Sequence, residues 1–194
     1  GNVYFKNLTP AANGSVTLTA NWTAVIPLST ALDNTSLIFT TGGGVNWFGQ
    51  KTVTHDGADA ARSGTITDYE TSWLATSVTG PGELSFCWMT SSEEDYDKLS
   101  LVVDGETVTA ISGVTDWQRY SYRMPGGRHE VKWVYSKDVN GAYGSDCGWV
   151  DQVRWTASVD VTFDAQGGTV SPLSQSYVVG SEYGSLPTPE YEGH

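Results

Sequence analysis

The sequence predicts an all-β fold, specifically an antiparallel jelly-roll β-sandwich. Composition is the first indication: the 194 residues include 22 glycines, eight tryptophans and ten tyrosines, a mixture typical of short strands joined by tight turns. The second is that apolar residues recur at every other position in many short segments. The third is that no window shows the 3.6-residue period of an amphipathic helix.

Five segments carry the alternating pattern, and each is interpreted as a strand. The last of them places Trp149, Asp151, Val153 and Trp155 on one face. Turn residues divide the segments at TGPGE, Asp104–Gly105, MPGGRH and VNGAYGSD. In chain order the predicted strands are SVTLTANW (15–22), ELSFCWMT (83–90), KLSLVVDG (98–105), EVKWVYS (130–136) and GWVDQVRW (148–155).

The charge balance excludes two classes of partner. The chain has 22 acidic and 10 basic residues, a net charge of −12, and such a surface repels phosphate backbones and anionic lipid. No apolar run reaches the roughly 18 residues needed to cross a bilayer. We therefore expect no nucleic-acid partner and no membrane insertion in this segment.

The stretch HDGADAARSG, residues 55–64, contains the side chains of a hydrolase site but not its sequence context. A serine nucleophile needs a base and an orienting acid, and the chain has no G-x-S-x-G elbow around Ser63. We favour a strand-to-turn connection in which Asp56 and Asp59 accept backbone N–H groups. No catalytic residue is expected, and a hydrolase using His55 is the remote alternative.

Asp151 stands out because the alternation puts its carboxylate on an apolar face. A carboxylate there must be hydrogen-bonded, paired or bound to a metal. Backbone donors or Arg62 would satisfy it, and a cation is the other possibility; the sequence leaves both open.

Aromatic residues near the loops suggest a sugar-binding surface, because exposed rings stack on the apolar faces of pyranoses. The neighbouring acidic run of Glu93, Glu94, Asp95 and Asp97 favours a solvated loop over a glycosidase carboxylate pair. The residues proposed for ligand binding are Trp47, Tyr69, Tyr96, Trp117 and Tyr143.

The two ends of the chain resemble internalin-type B repeats, small β-grasp modules of bacterial surface proteins. VTFDAQGGTVSP and VVGSEYGSLPTPEYEGH match the beginning of such a repeat, and GSVTLTANW matches its end. The resemblance implies short β-strand pieces of β-grasp repeats at both termini, with neighbouring repeat modules of a longer chain as partners. The predicted domains are 1–24, 27–157 and 158–194.

The middle resembles a bacterial extracellular jelly-roll module related to MAM domains. The matching runs, in order, are DGADAARSGTITDYETSWLATSVTGPGELSFCW, SSEEDYDKLSLVVDG, DWQRYSYRMPGGRHEVKWVYSKD and GSDCGWVDQVRW. The resemblance implies an aromatic or small apolar residue at positions 87 and 147. Finding Cys87 and Cys147 there suggests that the two face each other on neighbouring strands, and we expect one disulfide between them in an oxidising compartment. The resemblance also implies a structural Ca²⁺ with Asp151 as a ligand, and Asp56, Asp59 and Asp33 as possible partners.

These observations together predict a noncatalytic module of a large secreted or surface-attached bacterial protein. Adhesion, through a glycan or a surface protein, is the favoured function. A spacer without a ligand, in a stalk of β-modules, is the alternative. No cofactor is expected to be required.

Overall fold

Nine strands and one helical turn make up residues 25–192, the part of the chain that the computed structural model describes. The strands are antiparallel and form one curled sheet, which confirms the predicted all-β class. No helix within residues 25–192 has the length and apolar character to cross a bilayer. The elements are α1 (Leu28–Ala31), β1 (Thr40–Gly43), β2 (Phe48–Gln50), β3 (Ala60–Arg62), β4 (Thr71–Ser91), β5 (Lys98–Val103), β6 (Glu106–Ser112), β7 (Gln118–Ser136), β8 (Cys147–Thr162) and β9 (Ser174–Val178).

Two unusually long strands, β4 and β7, dominate the architecture. They have 21 and 19 residues, whereas most strands have three to about ten. The turns predicted at 79–83 and 124–129 are therefore wrong as chain reversals. Gly80 lies opposite Gly127, and the register shifts by one residue between Gly80 and Gly82. Because Pro81 cannot donate to the ladder, the glycine-proline segments bend the paired strands without ending them.

The bend divides the sheet into two halves. In the first half, residues 71–80 of β4 pair with residues 127–136 of β7, and β1, β5 and β6 extend this half. In the second half, residues 82–91 of β4 pair with β8 and with residues 118–124 of β7. Strands β3 and β2 continue the second half beyond β8.

The two halves pack against each other through aromatic side chains. Phe86 of the second half meets Trp133 of the first half edge-on, with ring centroids 5.2 Å apart. Each fully buried ring contributes about 1.5–3 kcal/mol relative to exposure. The largest fully buried side chains are Trp88, Trp133, Tyr135, Phe86, Leu32, Leu74, Leu84, Leu99, Leu101, Met124, Val131 and Val150.

A β-bulge in β8 means that Trp149, Asp151, Val153 and Trp155 do not all lie on one face of the strand, as was predicted. Ser85 pairs with Arg154, but Cys87 pairs with Asp151, so β8 has one more residue than β4 in this interval. Gln152 is the extra residue and adopts a φ of 52°. Val150 and Val153 consequently both lie in the core, and simple alternation across this segment was wrong.

The predicted turn at Asp104–Gly105 is confirmed. It joins β5 to β6, and both residues have positive φ, 52° and 89°. A two-residue hairpin turn with two positive φ values matches the twist of the strands it connects, and Asp-Gly is among the sequences that tolerate it best.

The predicted domain boundary near residues 157–159 lies inside β8. That strand continues to Thr162, and its last five residues pair with β9 in a separate two-stranded ribbon. The predicted first domain, residues 1–24 with its strand at 15–22, lies outside the described residues. The division into three domains stays a prediction.

The predicted disulfide is wrong: Cys87 and Cys147 are both free and buried. They do lie on neighbouring strands, but Cys87 is opposite Asp151, whereas Cys147 is opposite Ser91. This offset of four residues places the two cysteines about 13 Å apart along the strands. A disulfide requires Cα atoms within about 7 Å.

A buried ion cluster fixes the loops that follow β4 and β7. The Nζ atom of Lys137 donates to Asp97 Oδ2 at 3.0 Å, to both carboxylate oxygens of Asp146 at 2.7 Å, and to the carbonyl oxygen of Gly141 at 2.7 Å. Asp97 is fully buried. The hydroxyl of Tyr135 donates to Asp146 at 2.9 Å. The acidic run was thus misinterpreted as wholly solvated, since Asp97 belongs to the interior.

Replacing Lys137 with Met should lower the free energy of unfolding by about 3–5 kcal/mol, because the buried Asp97 carboxylate would lose its countercharge. Urea denaturation followed by tryptophan fluorescence measures the change. Lys132→Met is the matched control, since Lys132 pairs with Glu130 at 2.7 Å on the surface and should cost under about 1 kcal/mol. Equal losses in the two variants would contradict the importance of the cluster.

The cysteines should behave as two unreactive thiols in the native protein. Both are under 5% exposed, so a thiol reagent should modify them only slowly until the protein unfolds. In denaturant without a reductant, two thiols should react at once. The same protein reduced and desalted first is the control, and a lower count in the unreduced sample would mean that a disulfide exists.

Candidate functional site

Three of the predicted sugar-binding tyrosines lie exposed on loops at one end of the sandwich. Tyr69, Tyr96 and Tyr143 are 76%, 60% and 57% exposed. Their loops are connected by the backbone of Asp138: its carbonyl accepts the N–H of Tyr69 at 2.8 Å, and its N–H donates to Asp97 at 2.9 Å. The bent strands explain this placement, because both ends of β4 and of β7 emerge at the same end of the fold.

The other two predicted residues lie elsewhere. Trp47 is only 3% exposed and belongs to the hydrophobic core, which corrects the expectation that its ring faces solvent. Trp117 is half-buried and meets the ring of His55 at 5.6 Å between centroids, at an angle of 71°. Neither residue offers a free ring beside the three tyrosines.

A concave site, here called the loop cleft, opens among these loops. It has a volume of about 610 Å³ and is bounded by the loops between β4 and β5, between β6 and β7, and between β7 and β8. Two hydrogen bonds hold these loops together. The backbone N–H of Ser92 donates to the carbonyl of Gly113 at 3.0 Å, and the N–H of Ser145 donates to the hydroxyl of Ser91, at the end of β4, at 2.8 Å. The lining residues are Ser92, Glu93, Glu94, Gly113, Val114, Tyr143 and Gly144.

Glu93 is the distinctive polar residue of the loop cleft. Its Oε2 atom is buried and has no hydrogen-bond partner among the described residues. Burial, followed by the nearby carboxylates of Asp138 and Asp97, raises the pKa of Glu93, although Lys137 opposes the shift. Gly141, with a φ of 97°, allows the backbone to approach this carboxylate where a side chain would collide with it. Sequence reasoning missed Glu93, because nothing in the acidic run distinguishes the half-buried member.

A second concave site, here called the strand groove, lies on the outer face of the second half of the sheet. Its volume is also about 610 Å³. Ser85 and Cys87 of β4 form its floor, with Arg119 of β7 on one side and Arg154 of β8 on the other. Burial raises the pKa of the Cys87 thiol, while Arg119 lowers it and Asp151 raises it. The thiol therefore lies between a positive and a negative group.

The four aspartates predicted as calcium ligands are close enough to repel one another. Burial raises the pKa of Asp151, two backbone hydrogen bonds lower it, and Asp56 and Asp33 raise it further. Burial, then Asp56 and Asp59, likewise raise the pKa of Asp33. Within residues 25–192, however, no three acidic, histidine or cysteine side chains converge on a point that could hold a metal ion. As placed, these residues do not fit a cation, and calcium binding stays a prediction.

Asp151 is satisfied by backbone donors, one of the alternatives that the sequence left open. Its Oδ2 accepts the N–H of His55 at 2.8 Å, and its Oδ1 accepts the N–H of Gln152 at 2.7 Å. Arg62, the other proposed partner, instead donates from Nε to the sulfur of Cys147 at 3.1 Å and packs against the ring of Trp149. The fully buried carboxylate thus connects the 55–64 stretch to the bulge of β8.

The 55–64 stretch is the connection that its sequence indicated. Ser63 is fully buried, and its hydroxyl oxygen accepts the N–H of Gly148 at 3.1 Å. Asp56 accepts the N–H of Ala58 at 2.7 Å, as predicted for a turn. The residues of the remote hydrolase hypothesis therefore have structural partners, and Ser63 is not accessible to a substrate.

Comparison with solved structures shows that this chain shares its fold with part of one protein and has a weaker likeness to others. The secreted serine protease VesC from Vibrio cholerae has a TM-score of 0.52 and 18% identity over 68% of this chain, but this chain spans only 27% of VesC. A cleaved adhesin domain of Lys-gingipain from Porphyromonas gingivalis has a TM-score of 0.48 and 15% identity, covering 69% of this chain and 94% of that one. The module TmCBM61, solved with β-1,4-galactotriose, has a TM-score of 0.43 and 16% identity, and the alignment covers 66% of this chain and 92% of that one.

Comparisons of the sequence alone identify no related family or protein. No protein-family model matches the chain, and no curated protein matches it. At these identities the structural likeness shows the fold alone. The resemblances to MAM domains and to internalin-type repeats stay predictions.

The four aspartates that include Asp151 either repel one another or share a cation, and the change in the free energy of unfolding upon Asp56→Asn distinguishes the two cases. In EDTA at pH 7, Asp56→Asn should raise the free energy of unfolding by a few tenths of a kcal/mol, because it removes a screened like charge from Asp151 and Asp33 and keeps the turn acceptor. Asp68→Asn, an exposed loop substitution, is the control. Thermal denaturation with and without millimolar Ca²⁺ measures both. A Ca²⁺-dependent rise in the melting temperature that Asp56→Asn removes would establish the cation.

Proposed function

We propose that this protein is a noncatalytic glycan-binding module, and that the loop cleft is its binding site. The observation that carries the proposal is the pairing of an exposed tyrosine ring with a buried, unpartnered carboxylate oxygen in one concave site. Tyr143 supplies the ring and Glu93 supplies the oxygen.

The chemistry of the loop cleft suits a neutral sugar. A pyranose presents an apolar C–H face that packs on an aromatic ring and hydroxyl groups that donate hydrogen bonds. Leaving a buried acceptor unsatisfied costs about 1–3 kcal/mol. Because this oxygen is packed against Gly141, the Glu93 side chain must turn toward the cleft upon binding, where a sugar hydroxyl that donates to it would recover this energy. The acidic surroundings, with Glu94 and Asp138 nearby, disfavour an anionic ligand at this site.

The location is part of the proposal. A glycan-binding module acts outside the cell or on its surface, and the fold is shared with part of VesC, which is a secreted protein. We place the chain in a large secreted or surface-attached bacterial protein, where the cleft would recognise a glycan of another surface. The partner of this module would then be a surface glycan or a surface protein that carries it.

Tyr143→Ala should weaken glycan binding by roughly tenfold or more, because the stacked ring buries apolar area worth about 1.5–3 kcal/mol. A glycan array identifies the ligand, and calorimetry with the best neutral oligosaccharide measures the affinity. Tyr183→Ala is the matched control: Tyr183 is 58% exposed, but it lies after β9 and is absent from the cleft.

Glu93→Gln separates the hydrogen-bonding role from shape, since it keeps the size of the side chain and removes the charge. We expect weaker binding together with a melting temperature that is equal to or above that of the wild type, because the neutral side chain also escapes repulsion by Asp138 and Asp97. An array without any signal would favour the spacer function instead. Binding that survives both Tyr143→Ala and Glu93→Gln would place the site outside the loop cleft.

A further inference from the structure

Three arginines on the outer face of the second half of the sheet are unpaired within residues 25–192. Arg119, Arg123 and Arg154 are exposed, and none of them forms a salt bridge or a side-chain hydrogen bond within residues 25–192. The four salt bridges of the described residues use His129, Lys132 and Lys137 instead. In a chain with 22 acidic residues and only 10 basic ones, most arginines would be expected to find a carboxylate.

Two of these arginines converge on the strand groove. Arg119 is opposite Cys87 on one side of β4, and Arg154 is opposite Ser85 on the other side. With strands about 4.8 Å apart and about 3.3 Å per residue, their Cα atoms are about 12 Å from each other. An arginine side chain spans about half of that distance, so both guanidinium groups can reach a single ligand group above β4.

The small floor residues make room for that ligand. Ser85 and Cys87 are only 5% and 4% exposed although they face outward, because the longer neighbouring side chains rise around them. The side chains of Ser36 and Gln152 continue the lining, whereas that of Asn34 is bonded to neighbouring backbone. The Ser36 hydroxyl and the Gln152 amide offer hydrogen bonds to hydroxyl groups, which a peptide carboxylate alone would not use.

Acidic residues also line the groove. Asp33 and Asp56 lie near Asp151, and their carboxylates can accept hydrogen bonds from neutral hydroxyls while repelling further negative charge. A polymer with closely spaced anions, such as a nucleic acid or a heavily sulfated glycan, would be repelled by these carboxylates. The groove therefore suits a ligand with one carboxylate next to a hydroxyl-rich, uncharged portion.

We propose that the strand groove binds an acidic saccharide, with the carboxylate of one uronic acid residue held between the guanidinium groups of Arg119 and Arg154. Guanidinium and carboxylate groups form paired, charge-assisted hydrogen bonds with a matching planar geometry. This second site is separate from the loop cleft and does not depend on it.

Calorimetry with an aldotriouronic acid, in which one glucuronic acid is linked to two neutral xylose residues, tests the proposal. The wild-type protein should bind this trimer, and the affinity should fall as NaCl is raised from about 50 to 500 mM. Arg119→Ala and Arg154→Ala should each weaken binding by about tenfold or more. The same trimer with its single carboxylate reduced to a hydroxymethyl group should not bind in the groove.

The controls distinguish this site from a general charge effect and from the loop cleft. Arg128→Ala removes an exposed arginine from the first half of the sheet, opposite Thr79, and should leave the affinity unchanged, as should Tyr143→Ala. No binding of the aldotriouronic acid, equal losses in Arg128→Ala, or preferential binding of a sulfated heparin fragment would each overturn the proposal. Loss of binding only in Tyr143→Ala would assign acidic glycans to the loop cleft and would likewise overturn it.

Discussion

The packing of one half of a bent sheet on the other half is the constraint on which this fold depends. Strands β4 and β7 pass continuously from the first half to the second, so the same two strands contribute to both sides of the core. Phe86 and Trp133 meet across that interior with centroids 5.2 Å apart. Because the halves are one paired sheet, they cannot separate without breaking the ladder at the bend.

The bend also determines where the loops gather. A strand folded upon itself returns both of its ends to the same side of the molecule, which gathers four loops there without any helix or long insertion. The ion cluster around Lys137 then fixes the spacing of two of these loops, since its ammonium group connects Asp97, Asp146 and the carbonyl of Gly141. The loop cleft is thus a product of the core and not of independent loop folding.

The sequence predicted the class of fold well, because period-2 alternation reflects burial on one face of a strand and survives in any sandwich. The sequence-based prediction failed where the same local pattern of residues is compatible with two different structures. Glycine and proline at 79–83 and 124–129 mark a reversal in most strands, yet here both segments pair with each other and only bend. The alternation through Asp151 failed for a related reason, since a one-residue bulge at Gln152 is invisible without the partner strand.

For the candidate site residues too, the sequence predicted what depends on local position and missed what depends on contacts between distant segments. Exposed tyrosines were recoverable, since loop position predicts exposure, whereas Trp47 was misassigned because its loop folds back onto the core. Glu93 and the pair Arg119 and Arg154 could not be recognised, because their significance lies in missing partners. That property depends on contacts between residues distant in sequence. The same limit applies to the cysteines. Their strands, β4 and β8, are adjacent as expected, but the register between these strands cannot be predicted from the sequence alone.

Strand β8 belongs at once to the sandwich and to the ribbon that it forms with β9, and this continuity has a mechanical meaning. Tension applied along the ribbon is carried directly into β8, parallel to the strand and perpendicular to its hydrogen bonds with β4. Those bonds are then loaded in shear, all together, and cannot be peeled apart one after another. The seam between β8 and β4 would therefore bear the force on a module that holds its ligand against flow.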